Sequence, residues 1–318
     1  AFDRIGCQVV RIGPTYNDHM GLDWDTDAVV PDQELPKEAP CWDLNEFVDW
    51  TTRNYQAPDM LLVSEENYQT DIVPTTKVPS ALWSMDGWPQ NYERIEKIKP
   101  TIGYMNHPYG IRIHPRTEKD SRWRMLLGAC APWVHKNRRQ ERDLDFVLYA
   151  SMYGKRPILC EFLKQSGLKV TYGQVVIRNY VDGYNRAICT YCNVNRNGHE
   201  IKWRFFEAAA MGCINIIDHS ILLKNLGYFP HRHYIPIDIE SDDWPTGEGL
   251  EERIKFLKTN YALSREIAEL AHAHTSIAHS YFNRIKTVLN DLSMPHVIKS
   301  VDLEIEKIAD KLNVIYDV

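Results

Sequence analysis

Short apolar segments alternate with helical segments in two successive series, and this alternation most limits the folds open to the chain. Its predicted strands lie at 4–12, 59–64, 78–84 and 100–105 in the first series and at 145–150, 168–172, 187–193 and 213–217 in the second. The helices predicted in the second half lie at 156–165, near 180–185, and at 202–211, 251–261, 264–292 and 302–312. Alternation of this kind is typical of parallel α/β layers. The break between the series, near residues 130–143, therefore predicts two sheets, in keeping with 318 residues at roughly 100–200 per domain.

The seven cysteines indicate the compartment in which the chain works. Their number is odd and their spacing is scattered, which favours free thiols in a reducing, cytoplasmic setting. Cys189 and Cys192 form a lone CxxC pair, and no second pair has the spacing of a zinc site. They are interpreted as core thiols, with zinc or redox chemistry as the alternative. No apolar run approaches the ~18 residues of a membrane span.

Charge is concentrated in residues 112–142, which we call the basic segment. It holds nine Lys and Arg residues against three acids, although the whole chain has a net charge of −6. Such an excess attracts anions, and the interleaved Trp123 and Trp133 add stacking surfaces of the kind that hold nucleic acids. A solvated helix face and linker is the alternative interpretation.

One stretch carries a family resemblance. Residues 204–218, Arg-Phe-Phe-Glu-Ala-Ala-Ala-Met-Gly-Cys-Ile-Asn-Ile-Ile-Asp, resemble a helix-to-strand segment of the CgeB-like (spore-maturation type) glycosyltransferases. Further stretches fall in the family's order at 144–156, 183–190, 265–268 and 279–284, and looser ones at 58–64 and 82–86. The resemblance covers about residues 140–285 well and the N-terminal half less closely.

The resemblance implies a GT-B fold, in which two Rossmann-like domains with parallel sheets face a central cleft and C-terminal helices pack back. The expected domains are an acceptor-side domain at 1–135, a nucleotide-sugar-binding domain at 136–285, and a helical segment at 286–318 that returns toward the first domain.

Donor binding is expected from the C-terminal half. The resemblance makes Glu207 the residue that grips the donor, usually at the ribose, whereas a glutamate in a first helical turn is also favoured by the helix dipole alone. Arg204, one turn earlier, suits phosphate oxygens. The remaining expected donor contacts are Arg156, Lys155, Gly212, His199 and Tyr149.

The sequence departs from the family pattern at two positions. Retaining GT-B enzymes often carry a second glutamate eight residues before the first, and His199 stands there. Leu148 stands where many relatives have glycine. The first departure leaves both retaining and inverting stereochemistry open. The two departures together would also fit a non-catalytic sugar-nucleotide-binding module.

The acceptor side is expected from the N-terminal half. Asp86 follows a strand and would act as a general base or hold the sugar, and otherwise would start a turn before Gly87. His107 and Asp18 are the other catalytic candidates. Further acceptor-side candidates are Tyr16, Asn17, His19 and Trp88.

Taken together, these features predict a hexosyl- or pentosyltransferase with a nucleotide sugar, in particular a UDP-sugar, as co-substrate. No metal and no other cofactor is expected, because GT-B enzymes generally use cations and helix dipoles in place of a metal. The candidate acceptors are a hydroxymethylated DNA base bound through the basic segment, a glycan, a protein and a small molecule. The alternatives are the binding module and a nucleotide-sugar epimerase of GT-B fold.

Overall fold

The computed structural model describes residues 1–9, 22–23, 28–29, 44–64, 77–84, 100–106, 122–152, 154–193, 201–218, 221–237 and 245–316. The chain divides into two compact units. The first unit comprises Ala1–Leu127 and Arg284–Asp302, and the second comprises Gly128–Asn283 and Leu303–Val318. Each unit contains a parallel sheet.

The first unit is built on a four-stranded parallel sheet of order β3-β4-β5-β6. Its strands are β3 (Leu61–Ser64), β4 (Ser80–Ser84), β5 (Ile102–Met105) and β6 (Trp123–Met125). A separate antiparallel pair, β1 (Leu22–Asp23) and β2 (Ala28–Val29), and helix α1 (Leu44–Asn54) precede it. All four residues of β5 are buried, as expected for an inner strand covered on both faces.

The second unit has a five-stranded parallel sheet of order β11-β10-β9-β7-β8. The strands are β7 (Leu144–Tyr149), β8 (Val170–Gly173), β9 (Ala187–Cys192), β10 (Ile214–Asp218) and β11 (Ile235–Ile237). The helices between them are α2 (Arg156–Gln165), α3 (Ile177–Arg186), α4 (Trp203–Ala210) and α5 (Ile221–Asn225). Helices α6 (Gly247–Thr259) and α7 (Tyr261–Ala278) follow in the second unit. Most of α8 (Tyr281–Asp291) and the start of α9 (Pro295–Tyr316) belong to the first unit. Parallel sheets of alternating α/β elements are the fold class that the sequence predicts, and the prediction is confirmed.

The core of the second unit lies between its sheet and its helices. Phe146, Leu163, Tyr191 and Ile216 are all fully buried there. Burying such side chains contributes about 1.5–3 kcal/mol each, which explains the almost unbroken apolar runs of the strands.

Buried asparagines connect the helices to this sheet. The Asn215 side chain on β10 donates to the Phe205 carbonyl of α4 at 2.9 Å and accepts from the Cys192 thiol of β9 at 3.1 Å. Asn185 on α3 donates to the Lys136 carbonyl at 3.0 Å, and its own side-chain oxygen accepts from the Arg138 amide at 2.7 Å. These bonds fix α4 and the segment before β7 in place, because a buried amide left unpaired costs about 1–3 kcal/mol.

Two elements differ from the sequence-based expectation. An opening strand is predicted at residues 4–12, but Asp3–Ile5 form a 3-10 turn and residues 7–9 are not in a strand. Gly6 follows the turn at φ +83°, a left-handed conformation that ends it, and residues 10–12 lie outside the described residues.

The second difference is a break in the predicted helix at 264–292, which forms α7 and α8 instead. The His279 carbonyl accepts from the Cys130 amide at 3.0 Å, and the Tyr281 amide donates to the Cys130 carbonyl at 2.9 Å. The Asn283 side chain then accepts from the Ser280 amide at 2.9 Å. These bonds replace the helical ones at the break, which the apolar periodicity of the sequence does not reveal.

Among the described residues, no helix is long and apolar enough to cross a membrane.

Candidate functional site

The strand order of the second unit indicates where a ligand binds. The chain passes from β7 to β8 on one side and then crosses to β9 on the other side of β7. In open α/β sheets ligands bind outside the carboxyl ends of the strands at such a reversal. Here the reversal lies between Tyr149, the last residue of β7, and Cys192, the last residue of β9. We call this place the switch point.

Helix α4 brings Arg204 and Glu207 to the switch point. Arg204 donates from Nη1 to the Tyr149 carbonyl at 3.0 Å, which joins the start of α4 to the end of β7. Glu207 follows one turn later, and its side chain is 19% exposed. The structure therefore brings Tyr149, Arg204 and Glu207 together, three of the residues expected to bind the donor.

The helices that follow β7 and β9, the two strands at the switch point, both begin without a capping side chain. Helix α2 starts after Lys155 and helix α4 after Lys202, and neither has an acid in its first turn. Helix N-termini carry partial positive charge and free amide groups, and both attract phosphate. Two such termini beside one switch point suit a diphosphate.

Arg156 and Lys155 differ in exposure although they are neighbours. Arg156 is buried and donates from Nη1 to the Ser151 carbonyl at 2.7 Å, which shapes the loop after β7. Lys155 is exposed at the start of α2.

Buried polar atoms at the switch point lack partners. The side-chain oxygen of Asn193, directly after β9, is buried and has no hydrogen-bond partner in the structure as described. The same holds for Nε of Arg204. An acceptor and a donor left unpaired in a buried place are expected where a ligand completes the bonding.

Three tyrosines cover one side of the site. The ring centroids of Tyr180 and Tyr184 on α3 are 4.6 Å apart, and Tyr149 lies 6.0 Å from Tyr180 and 5.8 Å from Tyr184. Gly183 permits this packing, since a Cβ there would overlap the Tyr149 ring.

Gly212 lies away from this group. It follows α4 and precedes β10, so it lies at the opposite, amino edge of the sheet. At φ +69° it packs against Asn137 and Arg142, whose side-chain nitrogens would lie 2.6 and 2.8 Å from an added Cβ. Its close approach is thus to the protein's own side chains.

The remaining expected site residues lie outside the described residues. These are Asp18, Asp86, His107, His199, Tyr16, Asn17, His19 and Trp88. Within the described ranges, no three His, Cys, Asp or Glu residues are grouped so that they could hold a metal ion.

Sequence reasoning missed Tyr180, His135 and Asn193. Tyr180 donates its hydroxyl to Oε2 of Glu207, and Nε2 of His135 lies 3.8 Å from Oε1. The one available signal was the i, i+4 spacing of Tyr180 and Tyr184, which puts both on one face of α3. Nothing in the sequence connects that face with Glu207.

The family comparison agrees with this geometry. A family model described as "Glycosyl transferase-like" matches residues 129–290. The chain belongs to this family. It is a glycosyltransferase, and the matched range includes all of the switch-point residues. Among curated protein sequences, none matches this chain significantly.

Solved structures show the same GT-B fold at low identity. Anabaena Alr3699/HepE in complex with UDP and glucose is 10% identical, with a TM-score of 0.53 over 78% of this chain and 81% of that one. An alpha-glucosyltransferase in complex with UDP-glucose and DNA containing an abasic site is 11% identical, with a TM-score of 0.53 over 79% and 84%. At such identity the similarity establishes the fold, which includes two Rossmann-like domains.

Proposed function

We propose that this glycosyltransferase moves a hexosyl or pentosyl group from a UDP-sugar, bound at the switch point, to an acceptor hydroxyl. The observation that carries the proposal is the carboxylate of Glu207 on α4 at the switch point, where α2 and α4 begin with neither a side-chain cap nor a first-turn acid. A carboxylate accepts hydroxyl hydrogens, and helix N-termini bind phosphate oxygens, so the two together match a nucleoside diphosphate.

In this proposal Glu207 accepts hydrogen bonds from the ribose hydroxyls, and the starts of α2 and α4 with Lys155 bind the diphosphate. Negative charge develops on the leaving UDP, where the helix dipoles and cations stabilise it. Arg204 and Arg156 already donate to backbone carbonyls, so their free donor capacity is smaller than that of an unengaged arginine. We also propose that the chain belongs to the CgeB-like glycosyltransferases, and the motifs at 204–218 and 279–284 support this proposal. The six described cysteines are thiols outside any disulfide, which supports a reducing, cytoplasmic setting.

The donor site is tested by ligand-induced stabilisation. A ligand at 100 times its Kd stabilises a protein by about 2.7 kcal/mol. We expect UDP and UDP-glucose to raise the melting temperature of the wild type more than GDP, ADP or CMP do, and Glu207→Gln to lose most of the rise. Glu161→Gln is a matched control. Glu161 also accepts a hydrogen bond from a tyrosine hydroxyl, that of Tyr172, but it lies on the exposed part of α2. Equal shifts in wild type and Glu207→Gln would rule out this donor site.

For the acceptor we propose a hydroxymethylated base in DNA. Support comes from the alpha-glucosyltransferase of similar fold that was solved with DNA, and from the excess of cations in the basic segment. The protein itself engages some of these cations. Arg124 pairs with Asp291, Arg138 lies 3.6 Å from Asp182, and Arg142 binds backbone carbonyls.

Transfer of radiolabelled glucose from UDP-glucose tests the acceptor. We expect incorporation into duplex DNA that contains 5-hydroxymethylcytosine and none into the same sequence with cytosine. Because phosphate contacts weaken with salt, the rate should fall steeply between 50 and 200 mM salt. Release of free glucose without transfer to either DNA would refute the DNA acceptor while leaving the donor site intact.

A further inference from the structure

Residues of two other elements approach the carboxylate of Glu207, one at each oxygen. Tyr180, on α3, donates its hydroxyl to Oε2. His135, in the segment before β7, directs Nε2 toward Oε1 at 3.8 Å. Each oxygen of the carboxylate thus faces one protein group, and an ionised carboxylate can accept further hydrogen bonds at both oxygens.

The hydrogen position on His135 follows from its other nitrogen. Nδ1 accepts the Ala131 amide hydrogen at 3.0 Å, so in the neutral ring the proton is on Nε2, the atom that faces Glu207. Burial lowers the pKa of His135, and the charge of Glu207 opposes this effect in part. The imidazole therefore presents an N–H dipole to the carboxylate.

Packing fixes the orientation of Tyr180. Its ring contacts Tyr184 and Tyr149 at centroid distances of 4.6 and 6.0 Å. Burial and the neighbouring Glu207 raise the pKa of the Tyr180 hydroxyl well above its usual range. The hydroxyl consequently stays protonated and acts as a donor to Glu207.

We propose that Tyr180 and His135 are positioning residues that orient the carboxylate of Glu207 toward the two ribose hydroxyls of the donor. This inference rests on the donor site proposed above. A free glutamate loses side-chain rotamer freedom when it binds a ligand, whereas one that already accepts a hydrogen bond from Tyr180 and faces the N–H of His135 has lost part of it beforehand. The pair should therefore set the selectivity of the enzyme for ribose over deoxyribose.

Calorimetric titration with UDP and with 2′,3′-dideoxy-UDP tests this role. We expect the wild type to bind UDP more tightly than dideoxy-UDP, because only UDP carries the ribose hydroxyls that donate hydrogen bonds to Glu207. Tyr180→Phe should weaken UDP binding about three- to tenfold, the range of one ordinary hydrogen bond. Its binding of dideoxy-UDP should stay unchanged, so the ratio of the two dissociation constants falls. A purely structural role would weaken both ligands alike.

Two further variants complete the test. Tyr184→Phe is the matched control, since Tyr184 is fully buried in the same ring cluster and donates no hydrogen bond to Glu207. It should keep the wild-type ratio. His135→Asn retains an acceptor for the Ala131 amide but lacks the Nε2 hydrogen, and should lower the ratio in the same direction. It also tests the proposal if Tyr180→Phe does not fold.

Glu207→Leu, which removes both acceptor oxygens, separates the two proposals. If it leaves the ribose selectivity of the wild type unchanged, the donor site itself is wrong. If it abolishes the selectivity while Tyr180→Phe and His135→Asn keep it, the donor site stands and the positioning role is refuted.

Discussion

Replacing Arg142 by methionine should lower the free energy of unfolding by about 3–5 kcal/mol, because three part-buried backbone carbonyls lose their shared hydrogen-bond donor. Arg142 donates from Nη1 to the carbonyls of Tyr184 and Ala187, the first at 3.2 Å, and from Nη2 to the Met211 carbonyl at 3.1 Å. One guanidinium thus joins the end of α3, the start of β9 and the turn after α4. Methionine fills a similar volume but leaves three part-buried carbonyls without this donor. Each carbonyl that stays unpaired costs about 1–3 kcal/mol of stability.

Arg138→Met is the matched control within the same basic segment. Arg138 is 40% exposed and its ion pair with Asp182 spans 3.6 Å, so its loss should change stability by no more than about 1 kcal/mol. Urea unfolding followed by circular dichroism measures both variants. Similar midpoints for Arg142→Met and the wild type would show that the three carbonyls find other donors.

This contrast also bears on the basic segment as a whole. From the sequence, its nine cations look alike, and together they suggest an anion-binding surface. In the structure Arg142 supports the sheet, Arg124 pairs with Asp291, and Arg138 lies near Asp182. Charge counts cannot distinguish a cation that binds carbonyls of its own chain from one that faces solvent.

Much of the second unit was predictable because its local and tertiary signals agree. Helix Arg156–Gln165 has the predicted bounds, and strand β9 ends one residue before its predicted end. Both combine a strong apolar pattern with a clear boundary, such as Pro157 in the first helical turn. The break at Ser280 was not predictable, since it depends on backbone bonds to Cys130, which is far away in the sequence.

The candidate site, too, was predictable from the sequence only in part. The rule for strand ends places Tyr149 and Arg156 at one edge of the sheet, and the motif adds Arg204 and Glu207. The partners of Glu207 come from the segment before β7 and from α3, and only the folded chain brings them together. Gly212 shows the reverse case: a glycine within the motif whose close contacts are Asn137 and Arg142 at the other edge.

Acidification should destabilise the protein through buried histidines of the second unit. Burial lowers the pKa of His233 from 6.5 to about 4, with smaller effects of His274 and Arg232, and burial likewise lowers that of His272 to about 4. In the unfolded chain both imidazoles titrate near 6.5, so between pH 6.5 and 4 the unfolded state binds more protons. The free energy of unfolding therefore falls as the pH falls through this window, by about 2 kcal/mol per histidine at pH 5.

The environment of His233 explains why it stays neutral when folded. Nδ1 accepts the Phe229 amide hydrogen at 3.0 Å, and the ring stacks on His274 at a centroid distance of 5.1 Å. Tyr228 meets its edge at 5.8 Å. A proton added to this ring would lie among aromatic groups and near Arg232, with little solvent to stabilise it.

The measurement is the melting temperature of the wild type, His233→Asn and His231→Asn from pH 7.5 to 5. Asparagine at 233 keeps an acceptor for the Phe229 amide but does not titrate, so the decline with acidification should be shallower by about the contribution of one histidine. His231 is exposed and has φ +60°, a conformation that asparagine tolerates, so His231→Asn should follow the wild-type curve. A His233→Asn curve parallel to that of the wild type would mean that His233 is protonated without loss in the folded protein, and that its burial does not control the acid sensitivity of the second unit.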